Sequence, residues 1–112
     1  MTDLAALIRH PRWRWMPGML TATGRRLTDS GEQSLAPIHA VPNVSDPATF
    51  GCLLALAAEL HNAPLSFVCW DNLNGWGYYV LGEVNEQGVA ITKVFLGETK
   101  EDAVCDAILG AP

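Results

Sequence analysis

The chain has 112 residues, 49% of them hydrophobic and 17% charged, and a net charge of −5. That balance suits one domain with one core and excludes intrinsic disorder, which needs low hydrophobicity and high net charge. No apolar run approaches the roughly 20 residues that a membrane span requires.

Taken in chain order, residues 2–9 predict a short helix, with Thr2 as N-cap and Leu4, Leu7 and Ile8 at helical spacing. Pro11 stops it, because the residue before a proline is pushed out of the helical region. Arg12-Trp13-Arg14-Trp15-Met16 alternates strictly, so a strand here would put both indoles on one face and both guanidinium groups on the other. Pro17-Gly18 reads as a turn. Residues 19–23 and 33–41 predict two further strands around a polar loop at Asp29-Ser30-Gly31, with Pro37 confining the second to an edge.

Ser45-Asp46-Pro47 is a helix start, since a cap side chain accepts from the first free amides and proline at the first helical position loses nothing. From Phe50 the periodicity is helical: Phe50, Leu53, Leu54, Leu56, Ala57 and Leu60 fall within an arc of about 160°. The opposite face carries Gly51, Cys52, Ala55, Ala58 and Glu59. So little polarity predicts a buried central helix whose small face lets another element, or a partner, come close.

A β region follows. Residues 65–70 and 76–83 predict two strands around the turn-forming loop Asp71-Asn72-Leu73-Asn74-Gly75, and residues 89–96 a third, after the hairpin turn Asn85-Glu86-Gln87-Gly88. Thr99-Lys100-Glu101-Asp102 opens a last helix with capping-box spacing and acids in its first turn. The order reads at most α-β-β-β-α-β-β-β-α. This is a single α+β domain over 1–112, with antiparallel hairpins packed on the central apolar helix and short helices at both ends.

The charge is unevenly placed. Residues 1–26 hold five arginines against Asp3, whereas the remainder holds Lys93 and Lys100 against eleven acids. Arg12, Arg14, Arg25 and Arg26 with Trp13 and Trp15 therefore admit three readings. They form a solvated face over two core indoles, a protein hot spot, or a grip on a phosphate backbone with base stacking. Trp76, Tyr78 and Tyr79 form a second aromatic group, read either as packing on the central helix or as interface. Glu83, Glu86, Glu98, Glu101, Asp102 and Asp106 raise nucleic-acid mimicry, but 17% charge is sparse for a mimic of a duplex carrying about one charge per 1.7 Å.

Two stretches, Trp13-Arg14-Trp15-Met16-Pro17-Gly18-Met19-Leu20 and residues 46–56 beginning Asp46-Pro47-Ala48-Thr49, together resemble a group of small proteins encoded by bacteriophages and prophages. The sharp likeness covers about twenty residues and carries no activity or site residues. It implies an accessory protein in a bacterial cytoplasm that binds and disables a host component, CRISPR effectors among them. The β-β-β-α run ending at Ala103 is similar in order to double-stranded-RNA-binding and HicB-type antitoxin folds. Glu98, Glu101 and Asp102 nevertheless give its last helix the wrong sign for meeting phosphates.

Catalytic and metal signatures are missing. His10, His39 and His61 are scattered, there is no Cys-x-x-Cys or His-Glu-x-x-His, and Leu73 stands where a calcium loop needs an oxygen ligand. Cys52, Cys69 and Cys105, odd in number and in apolar company, read as reduced packing residues of a cytoplasmic protein. An acid at position 3 and an apolar stretch ending at Arg9 argue against a signal peptide.

The expectation is a non-enzymatic protein with no cofactor, no metal and no membrane contact, acting on a host or phage protein complex. Its candidate protein-binding residues are Arg12, Trp13, Arg14, Trp15, Arg25, Arg26, Trp76, Tyr78, Glu98, Glu101 and Asp102. A nucleic-acid-binding or antitoxin-like regulator is the alternative, and a small enzyme the third reading. A homodimer through the small helix face or a sheet edge is also expected.

Overall fold

A computed structural model describes residues 3–27, 41–85 and 88–111. Their order is α1 (Leu4–Arg9), α2 (Pro47–Leu60), β1 (Phe67–Asp71), β2 (Gly75–Asn85), β3 (Gly88–Gly97) and α3 (Lys100–Leu109). The fold is α+β, with one antiparallel three-stranded sheet in the order β1-β2-β3.

Each helix begins on an acceptor that satisfies a free amide. The Asp3 carboxylate accepts from the Ala6 amide, Asp46 from Thr49, and the Thr99 hydroxyl from Asp102. The cap of α1 is thus Asp3; Thr2 lies outside the described residues. Pro47 opens α2 as its spacing predicts.

The β1–β2 hairpin pairs Phe67 with Tyr79 and Trp70 with Trp76. Strand β3 pairs with β2 from Trp76↔Gly97 to Asn85↔Gly88, with irregularities around Leu81. Gly88 has φ +106, the left-handed geometry a tight hairpin asks of its glycine. Glu86 and Gln87 lie outside the described residues.

Three expectations are corrected. Residues 12–16 form no strand, because no strand lies beside them among the described residues; they cross α2 as irregular chain. Residues 19–23 contribute only isolated bridges, Leu20↔Arg26 and Thr21↔Pro42, and residues 33–40 with the Asp29 loop lie outside the described set. The helix that spans the sheet is α3, which meets all three strands, while α2 packs on α3. The reason is volume. Ala103, Val104, Cys105, Ala107 and Ile108 of α3 are fully buried and mostly small, so α3 fits closely between the strands and the bulkier Leu53, Leu56 and Leu60 of α2. Nor is α2 buried all round, since Gly51 and Ala55 face outward.

The core joins Leu7, Met19, Leu27, Leu53, Leu56, Tyr78, Val104 and Ile108. At its far end His61 caps α2 through its backbone amide, while its ring donates from Nε2 to the Ala107 carbonyl at 2.7 Å and packs on Phe95.

Candidate functional site

The basic, Trp-bearing segment is built into the fold. Trp13 and Trp15 meet edge to face at 5.5 Å and pack against the core. Side chains on this stretch do alternate inward and outward as the spacing predicts, though without a strand. Arg14 turns outward and forms a paired bond with Glu59 of α2, Nη1 to Oε1 at 2.9 Å and Nη2 to Oε2. Arg12 reaches the Leu60 carbonyl.

Arg26 donates to the Gly18 carbonyl at 2.8 Å and to both Asp46 oxygens at 3.0 Å. Its guanidinium and the Thr49 amide hold the Asp46 carboxyl well below the usual range, and Arg14 lowers Glu59. A phosphate would have to displace both carboxylates, so Arg14 and Arg26 are committed within the chain. Arg25 is exposed on the turn closed by the Thr21 amide and the Arg25 carbonyl.

The segment from Trp13 to Leu20 and the start of α2 meet at one joint. Thr49 is fully buried; its hydroxyl accepts from the Leu20 amide at 2.8 Å and donates to Asp46 at 3.1 Å. Gly18, at φ +94, and buried Met19 lie on the other side, and the Cys52 thiol donates to the Pro17 carbonyl. These motifs explain themselves as a structural joint between the N-terminal segment and α2.

Of the second aromatic group, Tyr78 is fully buried, which removes it from any contact surface. Its hydroxyl lacks a hydrogen-bond partner in good geometry; burial raises its pKa and nearby Ser66 offsets part of that rise. Trp76 packs against the core and against Trp70 at 5.8 Å. Glu98, Glu101 and Asp102 gather at the start of α3 around a groove of about 330 Å³ floored by Leu4, Val44 and Cys105. Burial, with Asp102, Asp106 and Glu101 nearby, pushes the Cys105 thiol up to about 12.

Sequence reasoning passed over the side of the sheet turned away from α3. Phe67, Tyr79 and Val94 form one row across it, Cys69, Gly77 and Leu96 a second, and Leu81 with Ile91 a third. Phe67, Ile91, Val94 and Leu96 are 42–53% exposed. An antiparallel sheet with one wet face normally alternates apolar and polar residues. Here residues 78–81 and 94–96 are apolar at both parities, the pattern of strands covered on both faces. That unbroken run was the available signal.

The β1–β2 tip lies beyond this face, and Trp70, paired with Trp76, falls on the parity of buried Tyr78, not on that of Phe67 and Cys69. Trp70 is 57% exposed and Leu73 92%. The turn is fixed: the Asp71 carboxylate accepts from the Leu73 amide at 2.7 Å, the Trp70 indole donates to Asn72, and Gly75 takes φ +79. Leu73 is therefore presented on a braced turn. Among the described residues, no group of three or more His, Cys, Asp or Glu is placed to hold a metal ion, and no helix is long and apolar enough to cross a membrane. Comparison with protein families, curated proteins and solved structures finds no match.

Proposed function

We propose that this chain is a non-enzymatic binding protein of phage or prophage origin that docks on a protein partner through the exposed side and tip of its sheet. The observation that carries the reading is the concentration of large exposed apolar side chains there, Trp70 and Leu73 at the tip and Phe67, Ile91, Val94 and Leu96 on the face. Interface energy concentrates in a few well-placed large side chains, Trp foremost. The braced turn lowers the ordering cost of binding, so Trp70 and Leu73 act as the anchor.

The engaged state of Arg14 and Arg26 argues against the nucleic-acid alternative. A host defence complex such as a CRISPR effector is the partner class that the phage-protein resemblance singles out. The test is phage plating on a bacterium with an active CRISPR system. Expression of the chain raises plating efficiency, and the double change Trp70→Ala, Leu73→Asp abolishes the gain at equal folded protein level. Equal protection by wild type and variant, or none by wild type, overturns the reading.

A further inference from the structure

We infer that the apolar outer face of the sheet is a self-association surface, on which a second copy of this chain stacks face to face about a two-fold axis. The inference deepens the proposed function by dividing the exposed side: the face meets the second copy, and the Trp70–Leu73 tip is left for the heterologous partner.

Three observations favour a second copy as occupant. First, the rows formed by Phe67, Cys69, Tyr79, Leu81, Ile91, Val94 and Leu96 contain no charged residue. Asp71 stands next along β1 at the margin of these rows, so their uncharged centre meets its own image without burying an unpaired charge, although each copy carries −5.

Second, the face is levelled. Phe67 and Tyr79 stack at 5.3 Å with planes 21° apart, and the Tyr79 ring lies over Gly77, where a Cβ would come within 3.1–3.2 Å of it. A ring laid along the strand fills the one position without a side chain. Two such surfaces stack at the roughly 10 Å spacing of packed sheets.

Third, the area suffices for an isologous pair. At about 200 Å² for a large side chain, the half-exposed Phe67, Ile91, Val94 and Leu96, with the partly exposed Cys69, Tyr79 and Leu81, offer on the order of 500 Å². Stacking two copies removes about 1,000 Å², the lower bound of a specific interface. The small exposed stripe of α2 offers far less area, so the dimer, expected from the sequence through that stripe or a sheet edge, is placed on the sheet face.

Sedimentation velocity from 1 to 200 μM tests this, with Val94→Lys, Leu96→Lys as the variant. Both positions are about half exposed, so lysine is accommodated in the monomer, which circular dichroism verifies. The expected result is a wild-type species of twice 12.1 kDa at high concentration and at least a 100-fold weaker association in the variant. Alkylation of Cys69, in the middle row, reports the mode: stacking slows it about 10-fold above the dissociation constant, whereas pairing through the β3 edge leaves its rate unchanged.

A 12.1 kDa species throughout, a dimer indifferent to the two lysines, or Cys69 alkylation independent of concentration each overturns the inference. The outcomes separate from those of plating. A monomer that still protects phage sinks the dimer alone, and a stacked dimer that never protects sinks the host-defence reading alone.

Discussion

Replacing Gly97 with alanine probes the seam on which α3 is seated. A Cβ at this position would lie 2.5 Å from the Ala103 amide nitrogen and 2.8 Å from Asp102 Cβ. Carbon contacts relax near 3.5–4.0 Å, so the first turn of α3 must retreat by about 1 Å. The obstacle is backbone, and no rotamer change relieves it. The retreat loosens Ala103, Val104, Ala107 and Ile108, all fully buried. Overpacking costs about 1–3 kcal/mol, and a rigid obstacle places this case near the top. At about 4 °C per kcal/mol for a domain of this size, Tm falls by about 8–12 °C. Thermal melts followed by far-UV circular dichroism, with urea titration for the free energy, measure it. The matched control is Gly51→Ala on the outward face of α2, where a Cβ meets nothing within 4 Å. Helix propensity alone then raises stability by about 0.5–1 kcal/mol. A Gly97→Ala protein melting within 2 °C of wild type, or two glycine variants that shift together, refutes the seating of α3.

Tyr78→Phe removes a buried hydroxyl that has no well-placed partner, so urea unfolding gives a change within about 1 kcal/mol or a small gain, whereas Tyr78→Ala loses about 3–5 kcal/mol. Asp46 and Glu59 titrate below their ordinary values because Arg26 and Arg14 hold the ionised forms. Their contribution is complete above the unfolded-state values near pH 4 and is lost as pH falls toward the folded-state ones. Melts from pH 7 to 2.5 therefore show Tm dropping below about pH 4, with a shallower drop in Asp46→Asn. Cys105, fully buried with its thiol raised to about 12, resists maleimide at pH 8 until urea unfolds the chain; rapid native labelling there contradicts its place in the core.

The elements with local signals were legible in the sequence. Asp46-Pro47 and Thr99-x-x-Asp102 announce two helix starts through cap chemistry that acts over three residues, and Asn85 to Gly88 announces a hairpin through backbone geometry. The arginine–tryptophan alternation was legible as inward and outward facing, yet strand formation depends on a neighbour that the segment itself cannot specify. The choice of α3 over α2 as the sheet-spanning helix was likewise hidden. It depends on the fit of Gly97 under Ala103 and of Gly110 beside Phe95, contacts that the local pattern of neither strand nor helix announces. The candidate site was read least well. Arg and Trp attract attention by residue type, but Arg14 and Arg26 bind carboxylates on α2 and at its cap, while the exposed face is made of ordinary Val, Leu, Ile and Phe. Only the apolar run at both strand parities marked it, and a parity argument needs the register to say which side is covered.

The central claim, that the sheet side is the working surface, meets its most direct test in phage plating on a CRISPR-active host with three variants at matched folded levels. Trp70→Ala, Leu73→Asp alters the tip, Val94→Lys, Leu96→Lys alters the face, and Arg14→Ala, Glu59→Ala alters the opposite, helical side. The account predicts that the tip variant loses protection, the face variant is weakened through loss of the paired state, and the helical-side variant protects like wild type. Full protection by the tip variant, or loss confined to the helical-side variant, contradicts it.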